Sequence, residues 1–255
     1  MAAVLTEQRG GVGILTLNRP EARNAVNADL AQGVEAALDG FEADDTVQAV
    51  IVTGAGPTFS AGADLKLIAQ GRGAEMATER GNFAGLIRRA FPKPLIAAVN
   101  GPALAGGFEI MLACDLVVAA DHATFGLPEA KRGLFAAAGG LLRLPKRIPL
   151  AIATEIAITG DPIDARRAHE LGLVNLVVPP DRLMQEAIAF ADRIAVNGPL
   201  AVRNSLQMVR EAGELSEEDA WPRNYELANE VFASKDSIEG AVAFAEKRAP
   251  RWTGR

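Results

Sequence analysis

The 255-residue sequence predicts an α/β fold with largely parallel strands, followed by a helical C-terminal part. Three observations carry this. Short, β-rich, continuous apolar runs of buried-strand type recur through the first 180 or so residues. Helical patterns lie between those runs. Beyond about residue 180 no strand pattern remains, and the chain reads as successive helices.

The first run is "VGILTL" (12–17). A helix follows over 27–44, with Asn27 as a good N-cap and Leu30, Val34, Ala37, Leu38 and Phe41 on one face. "AVIVT" (49–53) is the next strand. The polar stretch "QGRGAEMATERGN" (70–82) is low in branched apolar residues and reads as a mobile helical loop over something. "LIAAV" (95–99), "LVVAA" (116–120) and "VNLVV" (174–178) complete the strands. Helices are expected over 181–196, 199–212, 217–233 and 236–248, punctuated by "NGP" at 197–199 and by Pro222. No repeat or low-complexity tract interrupts the order. The chain divides into a core over 1–197 and a helical region over 198–255.

Composition is that of a globular protein, with 49% hydrophobic and 23% charged residues, but aromatics are only 5%, so alanine, leucine and valine must fill the core. A formal charge of −6 argues against general nucleic-acid binding, which rests on a net basic surface. The single cysteine, Cys114, excludes an intrachain disulfide. With only His122 and His169 beside it, a Cys/His metal cluster is implausible. The start "MAAVLTEQRGGVG" has no basic n-region and no apolar run of signal length, and no segment reaches transmembrane length. A cytoplasmic protein that inserts in no membrane is the expectation.

Several motif readings fail. "GAGPTFSAG" (54–62) lacks the Gly-Lys-Ser/Thr ending of a P-loop. "RGGVGIL" (9–15) precedes a strand, whereas a dinucleotide fingerprint follows one. Ser60 lies outside any Gly-x-Ser-x-Gly elbow, so a triad hydrolase is not supported. Two small-residue turns remain, "TFSAGADLK" (58–66) after "AVIVT" and "NGPALAGGFE" (100–109) after "LIAAV". Such turns let a ligand approach unpaired backbone N–H groups, and two at neighbouring strand ends can converge on one oxygen as an oxyanion hole. Close helix–strand packing is the plain alternative for either turn alone. Glu109, one helical turn beyond the second, is a lone carboxylate among Phe108, Ile110, Met111 and Leu112. Burying it uncompensated costs several kcal/mol or forces its pKa to shift. A second carboxylate, Glu129, follows Pro128 at a helix start in "DHATFGLPEAKRGL" (121–134). Two glutamates beside a backbone oxyanion site suit polarisation of a thioester carbonyl with handling of water or a proton.

These residues resemble the crotonase, or enoyl-CoA hydratase/isomerase, superfamily over essentially the whole chain. The likeness is carried by "LNRPEARNAV" (17–26), "FSAGADLK" (59–66), "KPLIAAVNGPALAGGFEIMLACDLVVAA" (93–120), "FGLPEAKRGL" (125–134), "AGGLLRLPKRIP" (138–149) and "EGAVAFAEKRAPRW" (239–252), in order and with similar spacing. The resemblance implies a crotonase-type spiral of ββα units with a helical C-terminal trimerisation region, assembled as a homotrimer or dimer of trimers. It implies an oxyanion hole from the backbone N–H groups of Ala63 and Gly106, and catalytic Glu109 and Glu129, with Glu129 delivering the α-proton. Arg23, Ala61, Asp64, Leu65, Lys66, Leu127, Gly140, Phe244 and Lys247 match substrate- or CoA-contacting positions, the last two often reaching a neighbouring subunit's ligand. The basic group Lys247, Arg248 and Arg251 would then meet CoA phosphates, where a solvated tail is the plain reading.

The implied reaction is reversible addition of water to a 2-enoyl-CoA, giving a 3-hydroxyacyl-CoA as in fatty-acid oxidation. It uses no metal or redox cofactor, coenzyme A being part of the substrate. "GGFE", "LPEAKRGL" and "GGLLRLPKRIP" also resemble carnitinyl-CoA dehydratases, which hydrate crotonobetainyl-CoA. Isomerase members shift the double bond of a 3-enoyl-CoA, commonly with one carboxylate, so retention of both favours hydration. Some members bind AU-rich RNA, a role at odds with the acidic balance here. Two departures bear on the acyl pocket: Leu127 stands where short-chain hydratases carry glutamine, and "LFAAAGG" (134–140) replaces a Pro-Gly-Ala-Gly-Gly type of loop.

Overall fold

The computed structural model describes residues 2–255. Val4–Arg9 (β1) and Val12–Leu17 (β2) form an antiparallel pair. Helix α1 (Ala28–Ala43) opens on Asn27, whose side chain accepts the Leu30 N–H, and buries Leu30, Val34, Leu38 and Phe41. Then come β3 (Ala49–Gly54), α2 (Leu65–Ala69) and a small hairpin of β4 (Ala77–Thr78) and β5 (Asn82–Phe83). The middle of the chain runs β6 (Leu95–Val99), β7 (Ala103–Leu104), α3 (Gly106–Ala113), β8 (Leu116–Ala120), β9 (Thr124–Gly126), a 3₁₀ turn at Pro128–Arg132, α4 (Gly140–Arg147) and α5 (Leu150–Thr159). It continues through β10 (Ile163–Asp164), α6 (Ala165–Glu170), β11 (Leu176–Val178), α7 (Leu183–Ala195), α8 (Pro199–Ala212), α9 (Glu217–Phe232) and α10 (Lys235–Glu246).

Six strands form one sheet in the order β1-β2-β3-β6-β8-β11, parallel throughout except for β1. A second sheet, β10-β9-β7, is continued by a bridge between Ala103 and Ser60. Each of β3, β6 and β8 therefore leads into a short segment of the second sheet and then into a helix. Three successive ββα turns make the spiral. Side chains alternate along the large sheet: Ile14, Ile51, Ile96 and Val118 meet Leu183, Ala187 and Ala191 of α7. Leu15, Val52, Ala97 and Val117 face the opposite way, into the cluster holding Leu30, Phe108 and Ile110. A sheet covered on both faces needs strands that are apolar at every position, hence the unbroken runs.

The C-terminal helices are tied to this core by few but specific contacts. Arg210 of α8 grips Asp115 with two N–H donors (2.8 and 2.7 Å) and donates to the Phe91 carbonyl at 2.6 Å. The final residues are pinned in turn: Asp236 accepts the Thr253 and Gly254 N–H groups (2.7 and 2.8 Å), and the Trp252 indole donates to the Val196 carbonyl at 2.8 Å. No helix among the described residues is long and apolar enough to cross a membrane.

Three details differ from expectation. The strand foreseen at 174–178 begins only at Leu176, because the Asn175 side chain takes the Val117 N–H at 2.8 Å in place of a ladder bond. β1 has no apolar pattern because it is an exposed edge strand. The 70–82 stretch is a 3₁₀ turn (Gly73–Met76) entering the β4–β5 hairpin, and Met76 is buried in the core.

Candidate active site

The two small-residue turns meet. Leu104 N–H donates to Ser60 O at 3.0 Å, and the Ser60 hydroxyl donates to Asn24 O at 2.8 Å, so Ser60 fixes both turns. Gly62, at φ +87°, lies so close to the second turn that a Cβ there would sit 2.5 Å from Gly106 N. Ala105 holds φ 52°, ψ −129°, a conformation suited to glycine, and this rotates the following peptide out of the helix. Val26 and Asp64 on either side use their N–H groups in backbone bonds, to Gly62 O and Val26 O. The N–H groups of Ala63 and Gly106 have no acceptor among the described residues, and both residues line one cavity of about 910 Å³. That is the donor arrangement an oxyanion hole requires.

Glu109 stands in the first turn of α3, 3% exposed, and its Oε1 accepts the Gly140 N–H at 2.9 Å. Burial pushes its pKa up to about 7; the Gly140 N–H works against that shift, and the charge of Glu129 adds to it. Glu129 stands on the 3₁₀ turn that Pro128 initiates. Its Oε2 is buried with no hydrogen-bond partner among the described residues, and burial raises its pKa against the pull of Arg132. Both carboxylates line the cavity. Both acids are thus pushed toward their neutral forms, Glu109 the more deeply buried of the two.

Of the other residues singled out in the sequence, Arg23, Ala61, Asp64, Leu65 and Lys66 line the same cavity. Asp64 is already engaged: it caps α2 through the Lys66 N–H and pairs with Arg19 at 3.3 Å. Leu127 and Gly140 are not in the cavity wall but directly behind it. A Cβ on Gly140 would lie 3.0 Å from Glu109 Cγ and 3.1 Å from Leu127 Cδ2, so the pair backs the carboxylate. Phe244 and Lys247, at the end of α10, lie outside this chain's cavity wall, and Phe244 is 88% exposed. The guanidinium of Arg248 is spent on Glu239 (2.6 and 3.0 Å) and Glu246 (2.6 Å), so it is no free phosphate ligand. Sequence reasoning missed Met76, Phe83, Phe135 and Arg132 as wall residues. Arg132, three residues after Glu129 on the same short turn, is the one whose spacing was readable. Outside the glutamate pair the wall carries Arg19, Arg23, Lys66 and Arg132 against only Glu21 and Asp64. Among the described residues no group of three His, Cys, Asp or Glu is placed to hold a metal ion.

A ββα spiral with unpaired N–H groups, a buried glutamate and a half-buried one in one cavity defines a class, and the comparisons agree with it. The chain belongs to the enoyl-CoA hydratase/isomerase family, whose model matches residues 7–255. Enoyl-CoA hydratase EchA19 of Mycobacterium tuberculosis is 40% identical over 257 residues, covering 98% of this chain and 96% of that protein. A carnitinyl-CoA dehydratase of Proteus mirabilis is 41% identical over 97% of each. Among solved structures, an enoyl-CoA hydratase from Mycobacterium tuberculosis H37Rv matches with a TM-score of 0.96 and 49% identity over the whole of both chains. A carnitinyl-CoA hydratase from Mycobacterium avium matches with a TM-score of 0.79 and 43% identity, again over the whole of both.

Proposed function

We propose that this protein is an enoyl-CoA hydratase, adding water reversibly across the double bond of a 2-enoyl-CoA. The observation that carries the reading is the pair of carboxylates, Glu109 buried and Glu129 half-buried with an unpartnered oxygen, beside two unused backbone N–H groups in a single cavity. The thioester oxygen would accept from Ala63 and Gly106 N–H as negative charge develops on it. A water held between the glutamates gives its proton to the ionised carboxylate while its oxygen bonds to C3. The protonated carboxyl, Glu129 in this assignment, delivers a proton to C2. One O–H bond of water is broken, the C3–O and C2–H bonds form, and the pair recovers its single proton. No metal or redox group enters these steps.

Arg23, Lys66 and Arg132 offer the wall cations that suit the phosphates of CoA. Crotonobetainyl-CoA is the second reading, supported by the likeness to a carnitinyl-CoA dehydratase. Homotrimeric or hexameric assembly is supported by the exposed apolar side chains of α8–α10, among them Val209, Phe232, Ile238 and Phe244. In such an assembly Phe244 and Lys247 serve a neighbour's CoA, with residues 198–255 as the oligomerisation region and the cytoplasm as the setting.

The test is ultraviolet loss of the enoyl thioester across acyl lengths, crotonobetainyl-CoA included, with Glu109→Gln and Glu129→Gln. Each substitution should lower kcat by about 10²–10⁴-fold with KM moving less, and the double variant should be barely worse than the poorer single. Near-normal rates in both would overturn the reading. A Glu109→Gln protein that still hydrates would point to single-carboxylate chemistry.

A further inference from the structure

Helix α4 packs against α3 and carries two arginines on one face, Arg143 and Arg147. Other half-buried arginines meet a carboxylate: Arg19 meets Asp64, and Arg223 meets Glu211. Arg143 and Arg147 have no ion-pair partner among the described residues and bond only to carbonyls. Arg147 donates to Cys114 O at 2.8 Å, closing the C-terminal end of α3. Arg143 Nη1 donates to Ala138 O at 3.3 Å and Nη2 to Ile87 O at 2.6 Å, tying the 134–140 loop to the segment before β6. Gly139, at φ +96°, lies against this guanidinium so closely that any Cβ would overlap Nη1. The next residue is Gly140, whose N–H is on Glu109.

We propose that Arg143 is a positioning residue for Glu109: it clamps the loop whose Gly140 N–H holds that carboxylate, and it supplies the positive charge behind it. The inference rests on the hydratase reading for its kinetic consequences only. The groups facing the carboxylate are Glu129 from the 3₁₀ turn, the Ala138 and Gly140 N–H groups of the loop, and Arg143 from α4. Those facing Arg143 are Glu109, Arg147 and the Cys114 thiol, which burial keeps neutral with a pKa of about 12. The catalytic glutamate is thus the carboxylate that offsets this cation. A charge in a partly dry setting acts further and more strongly than one at the surface. Its effect is to keep one negative charge on the glutamate pair as the pH falls, so that a water-activating base is present.

The experiment uses the full-length protein with Arg143→Gln, which removes the charge, and Arg143→Lys, which keeps it but loses the two-pronged grip. In Arg143→Gln the acid limb of the kcat/KM profile should move up by a few tenths of a pH unit, and kcat should fall about 10-fold or more with KM within a few-fold. Arg143→Lys should restore the position of the limb, with only part of the rate. Independently of any substrate, ¹³C-glutamate NMR of the free protein, with Glu109→Gln to assign the resonance, should show Glu109 titrating higher in Arg143→Gln than in Arg143→Lys or the native chain. A lower rate with an unmoved acid limb and an unmoved Glu109 midpoint would overturn the proposal and leave Arg143 a loop support. If Arg143→Gln misfolds, Arg143→Met, which also removes the charge, takes its place: a Glu109 midpoint above that of Arg143→Lys supports the proposal, and equal midpoints overturn it. If the native protein hydrates no enoyl-CoA, the NMR titration still decides on Arg143, so the two failures are distinguishable.

Discussion

Glu109 is stabilised poorly by the fold in its charged form, and this has a measurable sign. Its pKa rises from the ordinary carboxylate value to about 7 on folding, so the native state holds a proton that the unfolded chain releases. Stability from this group is therefore complete below the unfolded pKa and is lost as pH rises through about 7. Glu109→Gln cannot ionise and still offers an oxygen to Gly140 N–H. It should be more stable than the native protein at pH 8 by about 1–3 kcal/mol, with the difference vanishing near pH 4. Denaturant unfolding at the two pH values checks this; equal stability at pH 8 would mean the carboxylate is better solvated than its burial implies. Glu109 was legible in the sequence because a lone charge in an apolar run is conspicuous. Arg143 was not: among "LLRLPKR" it looks like any surface helix arginine, and only the bonds to Ala138 and Ile87 reveal that it faces inward.

At the scale of elements, the meeting of the two turns carries the site, and its weak point is the backbone of Ala105. The sequence identified both turns from small residues after strands. It held no sign that Ser60 bridges to Ala103, since that pairing joins segments about forty residues apart. The same reason hid the two-residue strands, whose partners lie far along the chain. Steric blocking at Gly106 is a blunter probe than the sequence suggests, because a side chain there would meet the Phe83 ring at 2.7 Å as well as the substrate oxygen. Ala105→Gly is the cleaner substitution. It relieves a positive-φ strain while giving back some unfolded-state entropy, a net gain of about 0.5–1 kcal/mol. For a chain of this length a shift in Tm of about 1–3 °C follows. A calorimetric scan showing a lower Tm would mean that the alanine methyl contributes more through its contact with Gly62 than its conformation costs.

On the scale of the whole molecule, α8–α10 expose large apolar side chains, among them Val209, Phe232, Ile238 and Phe244. Their boundaries were read from sequence to within about two residues, because helical periodicity and turn signals such as "NGP" at 197–199 are local. What α10 does with Phe244 and Lys247 is not local, because this chain's cavity ends without them. If a neighbouring subunit receives them, Lys247→Ala should raise KM for acyl-CoA several-fold with kcat little changed, since a remote phosphate contact is uniform binding. Co-expression then separates the two geometries. Mixing Glu109→Gln subunits with Lys247→Ala subunits gives assemblies in which a site has an intact Glu109 and an intact Lys247 only when the two come from different chains. Random assembly around a closed ring makes about a quarter of the sites whole, and that fraction of native low-KM activity should return. Were Lys247 to serve its own subunit's cavity, no site in the mixture would be whole, and the low-KM activity would stay absent however the subunits were combined.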